Sequence, residues 1–370
     1  MTDTDDPIVR NNDEDLELSE PSEVAGGIPA VMETMRHARK KMGIFRGTKT
    51  LLRLNKPGGF DCPGCAWPDP DHRAPAEFCE NGAKAVADEA TTDTIGAEFF
   101  ADHSIPELME KSGRWLNAQG RIAEPLVRRE NSDHYEPISW DDAFALIGDE
   151  LNALQSPDEA IFYTSGRTSN EAAFLYQLFA RAFGTNNLPD CSNMCHESSG
   201  VGLSEVIGIG KGTVLLDGFN YADAIFVIGQ NPGTNHPRMM TALQKAKRNG
   251  ATIVSVNPLR ETGLTRFKHP QEVRGIVGGG TPLADLFLQV RINGDVALLK
   301  GIIKRMLELE DENPGEVIDR EFIDEKTTGF DDVVADVEAT SWDEIVDNSG
   351  IEREEIYRAA DIAADADRMI

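Results

Sequence analysis

Residues 223–257 read DAIFVIGQNPGTNHPRMMTALQKAKRNGATIVSVN, and their order decides the fold. The continuous apolar run AIFVIG lacks polar alternation, which suits a strand covered on both faces. GQNPGTNHP (229–237) is dense in turn-forming residues. The stretch from Pro237 to Gly250 opens with proline and closes with glycine, as helices commonly do. ATIVSVN then reads as a second buried strand. Strand, helix and strand in that order predict a parallel βαβ crossover, and hence an α/β chain with doubly wound parallel sheets. Such sheets take ligands at the carboxyl ends of their strands. Two polar loops lie there, 229–237 and NPLRET at 257–262.

Working outward, Ser139 with Asp142 predicts a cap for the helix DDAFALIGDELNAL. AIFYTS (160–165) reads as a buried strand and SNEAAFLYQLFARAFG (169–184) as the helix after it. DVALLKGIIKRMLELE (295–310) is a further helix, and Ser341 with Glu344 has the spacing of a capping box.

The chain has 64 acidic against 36 basic residues and a formal net charge of −28. That field opposes nucleic acid and anionic membranes as partners. The acidic residues run along the whole chain, which favours adaptation to a salt-rich, halophilic cytoplasm over a merely soluble acidic protein. A basic stretch, RHARKKMGIFRGTKTLLRLNKPGG (36–59), stands out against this background. No apolar run is long enough to span a bilayer, and the acidic N-terminus lacks the pattern of a signal peptide, so a cytoplasmic location is expected.

The five cysteines, Cys62, Cys65, Cys79, Cys191 and Cys195, fall in two short segments. Clustered cysteines in such a chain suit metal or redox chemistry better than disulfides. Cys62 and Cys65 have the C-x-x-C spacing that lets one turn present two thiolates to one metal or cluster, with Cys79 as a third ligand. A fourth cysteine is missing nearby; Asp69, Asp71 or His72 could serve, or the thiols could be structural. In NMCHESSGVG (193–202) Cys195 abuts His196, but adjacent side chains usually point apart, and taken alone Cys195 reads as a buried thiol. The two polar loops supply asparagine, threonine and backbone amides for a guanine, ribose or pyrophosphate, with Arg260 to offset phosphate charge. His236, before a proline, reads equally as a helix-start contact or a ligand. Neither a G-x-G-x-x-G fingerprint nor a P-loop is present.

Taken together, CPGCAWPDP (62–70), FCENGAKAV (78–86), SGRTSNEAAFLYQLFARAFGTNNLPDCSNMCHE (165–197), the G-x-N-P-x-x-x-H-P run and NPLRE (257–261) resemble the molybdopterin oxidoreductases, specifically the formate-dehydrogenase-like alpha subunits. The resemblance covers the chain from about residue 30 to its end. It implies a molybdenum (in some members tungsten) bis-molybdopterin guanine dinucleotide cofactor and a [4Fe-4S] cluster. It implies Cys195 as the metal's thiolate and His196 as the proton acceptor in oxidising the small-molecule substrate, formate. Gly229, Asn231, Asn235, His236, Asn257, Pro258 and Arg260 match loops that hold one guanine dinucleotide, and Asp295 falls where the family binds guanine. Cys62, Cys65 and Cys79 match the cluster ligands, with an electron-transfer partner subunit to receive the electrons. Two departures stand out: Asp69 occupies the third cysteine position of the first motif, and Asn81 replaces a lysine thought to relay electrons. The implied organisation is a disordered acidic tail (1–25), an N-terminal segment with the iron–sulfur site (26–136), the dinucleotide-binding α/β region (137–310) and the helical start of a further domain (311–370). Family members are longer, so an N-terminal fragment is expected, with substrate-orienting residues and the second pterin's region beyond residue 370.

Overall fold

The computed structural model describes residues 20, 22–65, 67–189, 193, 195–273, 275 and 278–370. Most of the acidic tail, residues 1–19, and Cys191 therefore lie outside the described residues. The chain is mixed α/β and gathers into two compact units. One comprises Thr34–Cys65 and Arg73–Thr213; the other comprises Val214–Ile370 with residues 22–33 and 67–72.

The second unit contains the crossover. Strand Ala224–Ile228 leads through the loop to helix Met239–Arg248 and back to strand Thr252–Val256. The two strands pair in parallel, Ile225 beside Ile253 and Phe226 beside Val254, and strand Leu286–Leu288 adds in parallel on the far side of the second. At the other edge the backbone of Arg368–Ile370 runs along the first strand: Phe226 N–H donates to Ile370 O at 2.7 Å and Ile370 N–H to Ala224 O at 3.1 Å. Because strand side chains alternate, this sheet has two separate apolar faces. On one, Ile225, Val227 and Ile253 pack with Met240, Leu243 and Ala246 of the crossover helix. On the other, Val254, Val256, Leu286 and Leu288 meet Leu298 and Ile302 of helix Asp295–Glu312. Ile345 of helix Trp342–Ser349 and Ile356 of helix Arg353–Ala364 complete that core. The last two helices thus share a core with the sheet. A smaller sheet joins Ala25–Gly26, Arg266–Lys268 and Thr281–Pro282.

The first unit is mainly helical. The part of helix Gly27–Leu51 that lies in this unit, from Thr34 on, breaks at Gly43, whose φ of 71° and ψ of 173° leave the helical region. Ala38, Met42, Leu51 and Leu54 pack on Ala83, Val86 and Ala87 of helix Glu80–Glu89, with Cys62 and Phe78 at the margin of this core. The predicted caps form: Ser139 accepts from Asp142 N–H at 3.1 Å, and helix Trp140–Ala153 follows. Ser341 likewise accepts from Glu344 N–H at 3.2 Å in the second unit. Helix Asn170–Phe183 runs from Ser169 to a left-handed Gly184.

Among the described residues, the expected buried strand at 160–165 is reduced to a single bridge at Thr164. Phe162 N–H donates to Asn187 O at 2.9 Å, but residues 160–163 belong to no strand; Ile161 is 71% exposed and Tyr163 48%. Only Phe162 is buried, its ring edge-on to Tyr176, Phe179 and Phe183 of the following helix. An apolar run becomes a buried strand only where neighbours cover both of its faces, and here one helix covers one.

Leu243 and Leu298 are fully buried on opposite faces of the sheet. Each truncation to alanine should cost about 2–5 kcal/mol in denaturant unfolding. The double variant should be additive within about 0.5 kcal/mol, because the residues share no partner.

Candidate cofactor site

The three cysteines of the N-terminal segment come together in the first unit. Cys79 is the N-cap of helix Glu80–Glu89, and its sulfur accepts from Gly82 N–H at 3.3 Å. Cys62 sits over the same glycine: a Cβ built on Gly82 would lie 2.7 Å from Cys62 Sγ and 3.7 Å from Cys79 Sγ. Any side chain at position 82 would collide with Cys62 Sγ. Cys62 N–H donates to Asn55 Oδ1 at 2.8 Å, while the Asn55 amide donates to Glu77 O at 2.7 Å. One buried asparagine therefore ties the C-x-x-C turn to the segment that leads into Cys79. Burial pushes the Cys79 thiol up from its ordinary range, with the neighbouring Cys62 and Cys65 adding to the shift. Packing thiols together in low dielectric favours their neutral forms until a cation compensates them. The free thiols do not form a ready-made cage, since no group of three or more His, Cys, Asp or Glu is placed to hold a single metal ion among the described residues.

Asp69, a candidate substitute ligand, is placed otherwise. It belongs to the second unit, where its carboxylate pairs with Arg238 Nη1 at 2.7 Å, both side chains being largely buried. A carboxylate held by a guanidinium in this way is a poor ligand for anything else.

Cys195 and His196 lie in the first unit, where helix Glu197–Ile207 begins. The reading of Cys195 as a buried thiol is corrected: it is exposed, and so is His196. His196 is the helix N-cap but makes no side-chain capping bond. Asn193 reaches over to Glu197, Nδ2 to Oε2, at 2.8 Å.

The second unit gathers the loop residues at the carboxyl ends of the strands. Gly229 follows the first strand with φ +67°, and its N–H donates to Val256 O at 2.8 Å. Asn257 follows the second strand and is buried, but both ends of its side chain serve the loops: Nδ2 donates to Gln230 O at 3.2 Å, and Oδ1 accepts from Leu259 N–H at 2.9 Å. Asn231 Nδ2 donates to Glu261 Oε2 at 2.7 Å. Gln289, just past the third strand, donates to Pro258 O at 3.0 Å. Gly233 and Gly263 touch backbone to backbone; a Cβ on either would come within 3.1 Å of the other's Cα. Gly229, Asn231, Asn257 and Pro258 thus form one surface. Asn235 and Arg260 are exposed at it, Arg260 lying over the Phe287 ring at 5.8 Å. His236 lies 6.4 Å from the Trp67 ring. Asp295 opens helix Asp295–Glu312, where a carboxylate favours the helix dipole.

Sequence reasoning missed Glu261, Gln230, Gln289 and Trp67. The Asn-Pro turn at 257 was a signal for the Asx bond to Leu259. The others are brought in by pairing between distant segments. The arrangement offers exposed backbone, amides and one arginine at strand ends, which suits a polar, phosphate-bearing group.

Residues 121–277 match the family model "molybdopterin oxidoreductase". The chain is 55% identical over 347 residues to an uncharacterized oxidoreductase of Mycobacterium tuberculosis (strain H37Rv), covering 94% of this chain and 44% of that protein. It is 47% identical over 351 residues to protein YdeP of Escherichia coli K12, covering 94% and 46%. Formate dehydrogenase H of the same strain is 30% identical over 251 residues, 66% of this chain and 32% of that one. The chain thus spans less than half the length of the curated relatives it matches most extensively. Among solved structures, acetylene hydratase from Pelobacter acetylenicus has a similar fold, with a TM-score of 0.53 and 20% identity over 66% of this chain and 31% of that one. Among the described residues no helix is long and apolar enough to cross a membrane.

In protein free of cofactor, iodoacetamide should label Cys195 about tenfold or more faster than Cys79, since exposure and thiolate fraction set the rate. Time-resolved peptide mass spectrometry reads both sites at once, and equal rates would contradict this burial pattern.

Proposed function

We propose that this chain, which belongs to the molybdopterin oxidoreductase family, carries the metal-ligating and dinucleotide-holding residues of an enzyme that oxidises formate to carbon dioxide. The observation that carries the reading is the exposed Cys195–His196 pair at the start of a helix, where the His196 side chain makes no capping bond. A thiol wanted only for packing would be buried; one wanted as a ligand must be accessible. The molybdenum bis-molybdopterin guanine dinucleotide group, when bound, supplies the two-electron acceptor that no side chain can provide.

The chain's own residues divide the remaining work. Cys195 ligates the metal as a thiolate. His196 takes the proton released as formate gives up two electrons, imidazole being the side chain that changes charge nearest neutrality. Gly229, Asn235 and Arg260 meet the guanine dinucleotide, whereas Asn231 and Asn257 hold the loops in place through Glu261 and Gln230. Asp295 accepts from guanine. Cys62, Cys65 and Cys79 would hold a [4Fe-4S] cluster, which would supply one-electron transfer toward a partner subunit. Glycine at position 82 lets Cys62 Sγ and Cys79 Sγ lie close against the backbone there. With Asp69 held by Arg238, a fourth ligand would have to come from elsewhere.

A second reading keeps the molybdenum chemistry but changes the substrate to an oxyanion or an N- or S-oxide. It rests on the modest identity, 30%, to formate dehydrogenase H. A cofactor-binding subunit without turnover is the remaining alternative, suggested by the thinned cysteine motif.

Cys195→Ser should abolish formate-dependent dye reduction, by about a thousandfold or more, while leaving molybdenum and pterin content nearly intact; loss of a group used in the chemical step has effects of this order. Unchanged turnover in that variant would overturn the assignment of Cys195. Wild-type protein that contains molybdenum and iron but reduces no dye with formate would move the reading to the second substrate class.

A further inference from the structure

The basic run between residues 34 and 60 takes no part in the chemistry above. Its charged side chains, His37 aside, are all lysine or arginine, in a chain whose net charge is −28. Some are committed locally. Lys41 is buried, donates to Asn117 O at 2.9 Å and lies 4.0 Å from Asp88, and Lys56 donates to the Ala74 carbonyl. Arg46, Lys49 and Arg53 are placed differently, although Arg53 Nη2 also donates to Gly58 O at 3.3 Å. Beyond the break at Gly43 they recur at i, i+3 and i+7, which sets them with Thr50 on one side of the chain. Together they line a cavity of about 420 Å³ closed by Gly59 and Phe60. None of the three has a carboxylate partner among the described residues.

The far wall is preformed. Asn55 N–H donates to Phe60 O at 2.8 Å, Phe60 N–H to Arg53 O at 3.2 Å and Gly59 N–H to Lys56 O at 2.8 Å. A Cβ on Gly59 would lie 1.8 Å from Arg53 O, so the turn closes only around glycine. Asn55, the residue that holds this loop, also accepts from Cys62 N–H. A ligand entering here meets a wall already in place and loses little to ordering it.

Three uncompensated cations and a hydroxyl around one hollow select a compact, multiply charged anion. Guanidinium forks match phosphate oxygens in pairs, and a lysine adds a point charge. An extended polyanion would feel the acidic remainder of the chain, whereas a small one meets only the local positive field. The volume falls in the range of small-molecule sites. We propose that this cavity binds the phosphates of a small phosphorylated metabolite of nucleotide size, with Phe60 as its apolar wall.

The test is calorimetric titration of pyrophosphate, ADP and adenosine into the purified protein at low ionic strength, beside the R46Q/R53Q double variant. Saturable binding of pyrophosphate or ADP, weakened about tenfold or more in a variant with unchanged thermal melting, supports the proposal. If the double variant folds poorly, Lys49→Gln is read in its place, with weakening of about threefold or more expected. The proposal is overturned if neither anion binds saturably, if the variants bind them unchanged, or if adenosine binds as tightly as ADP. In the first of those cases the three cations are left as a docking face for an acidic protein.

Discussion

The register between the first two parallel strands of the second unit is the constraint on which its site depends. Pairing Ile228 with Val256 ends both strands at the same level, so Gly229 and Asn257 emerge side by side. The bond from Gly229 N–H to Val256 O carries the ladder one residue further and fixes where the loops begin. A slip of one residue would exchange the two faces of the sheet, taking Ile225 and Ile253 from the crossover helix to the opposite side. It would also separate Asn257 from Gln230. The same apolar contacts that stabilise the sheet therefore set the position of the polar edge.

At that edge, residues of similar type do different work. Asn257 spends its amide on backbone groups of two loops, and Asn231 is held by Glu261. Asn235 and Arg260 remain exposed. Buried amides with satisfied partners build the rim, and exposed groups are left for a ligand. The first unit repeats the pattern with Asn55, which joins the Cys62 turn to the Glu77 backbone and shapes the loop beside the basic cavity.

The parts of the fold legible in the sequence were those governed by local rules. The apolar runs at 224–228 and 252–256, the glycine after helix Met239–Arg248 and the serines at 139 and 341 each act on neighbours a few residues away. The run at 160–165 misled for the same reason: its composition suits a strand, but strand formation depends on partners that composition does not name. Cys195 misled in another way. Free cysteine is usually buried, yet this one stands at a helix start where its side chain faces solvent.

The sequence by itself determined the parallel α/β crossover, the strand-end location of the polar loops, the C-x-x-C turn and the adjacency of Cys195 and His196. It did so because each depends on periodicity, on turn residues or on covalent neighbours. Only the tertiary structure decided that Asp69 belongs to Arg238, that Glu261 holds Asn231, and that Cys62 and Cys79 share the space above Gly82. Those outcomes depend on which distant segments pack together, and side-chain partners across such distances are chosen by burial and charge in three dimensions.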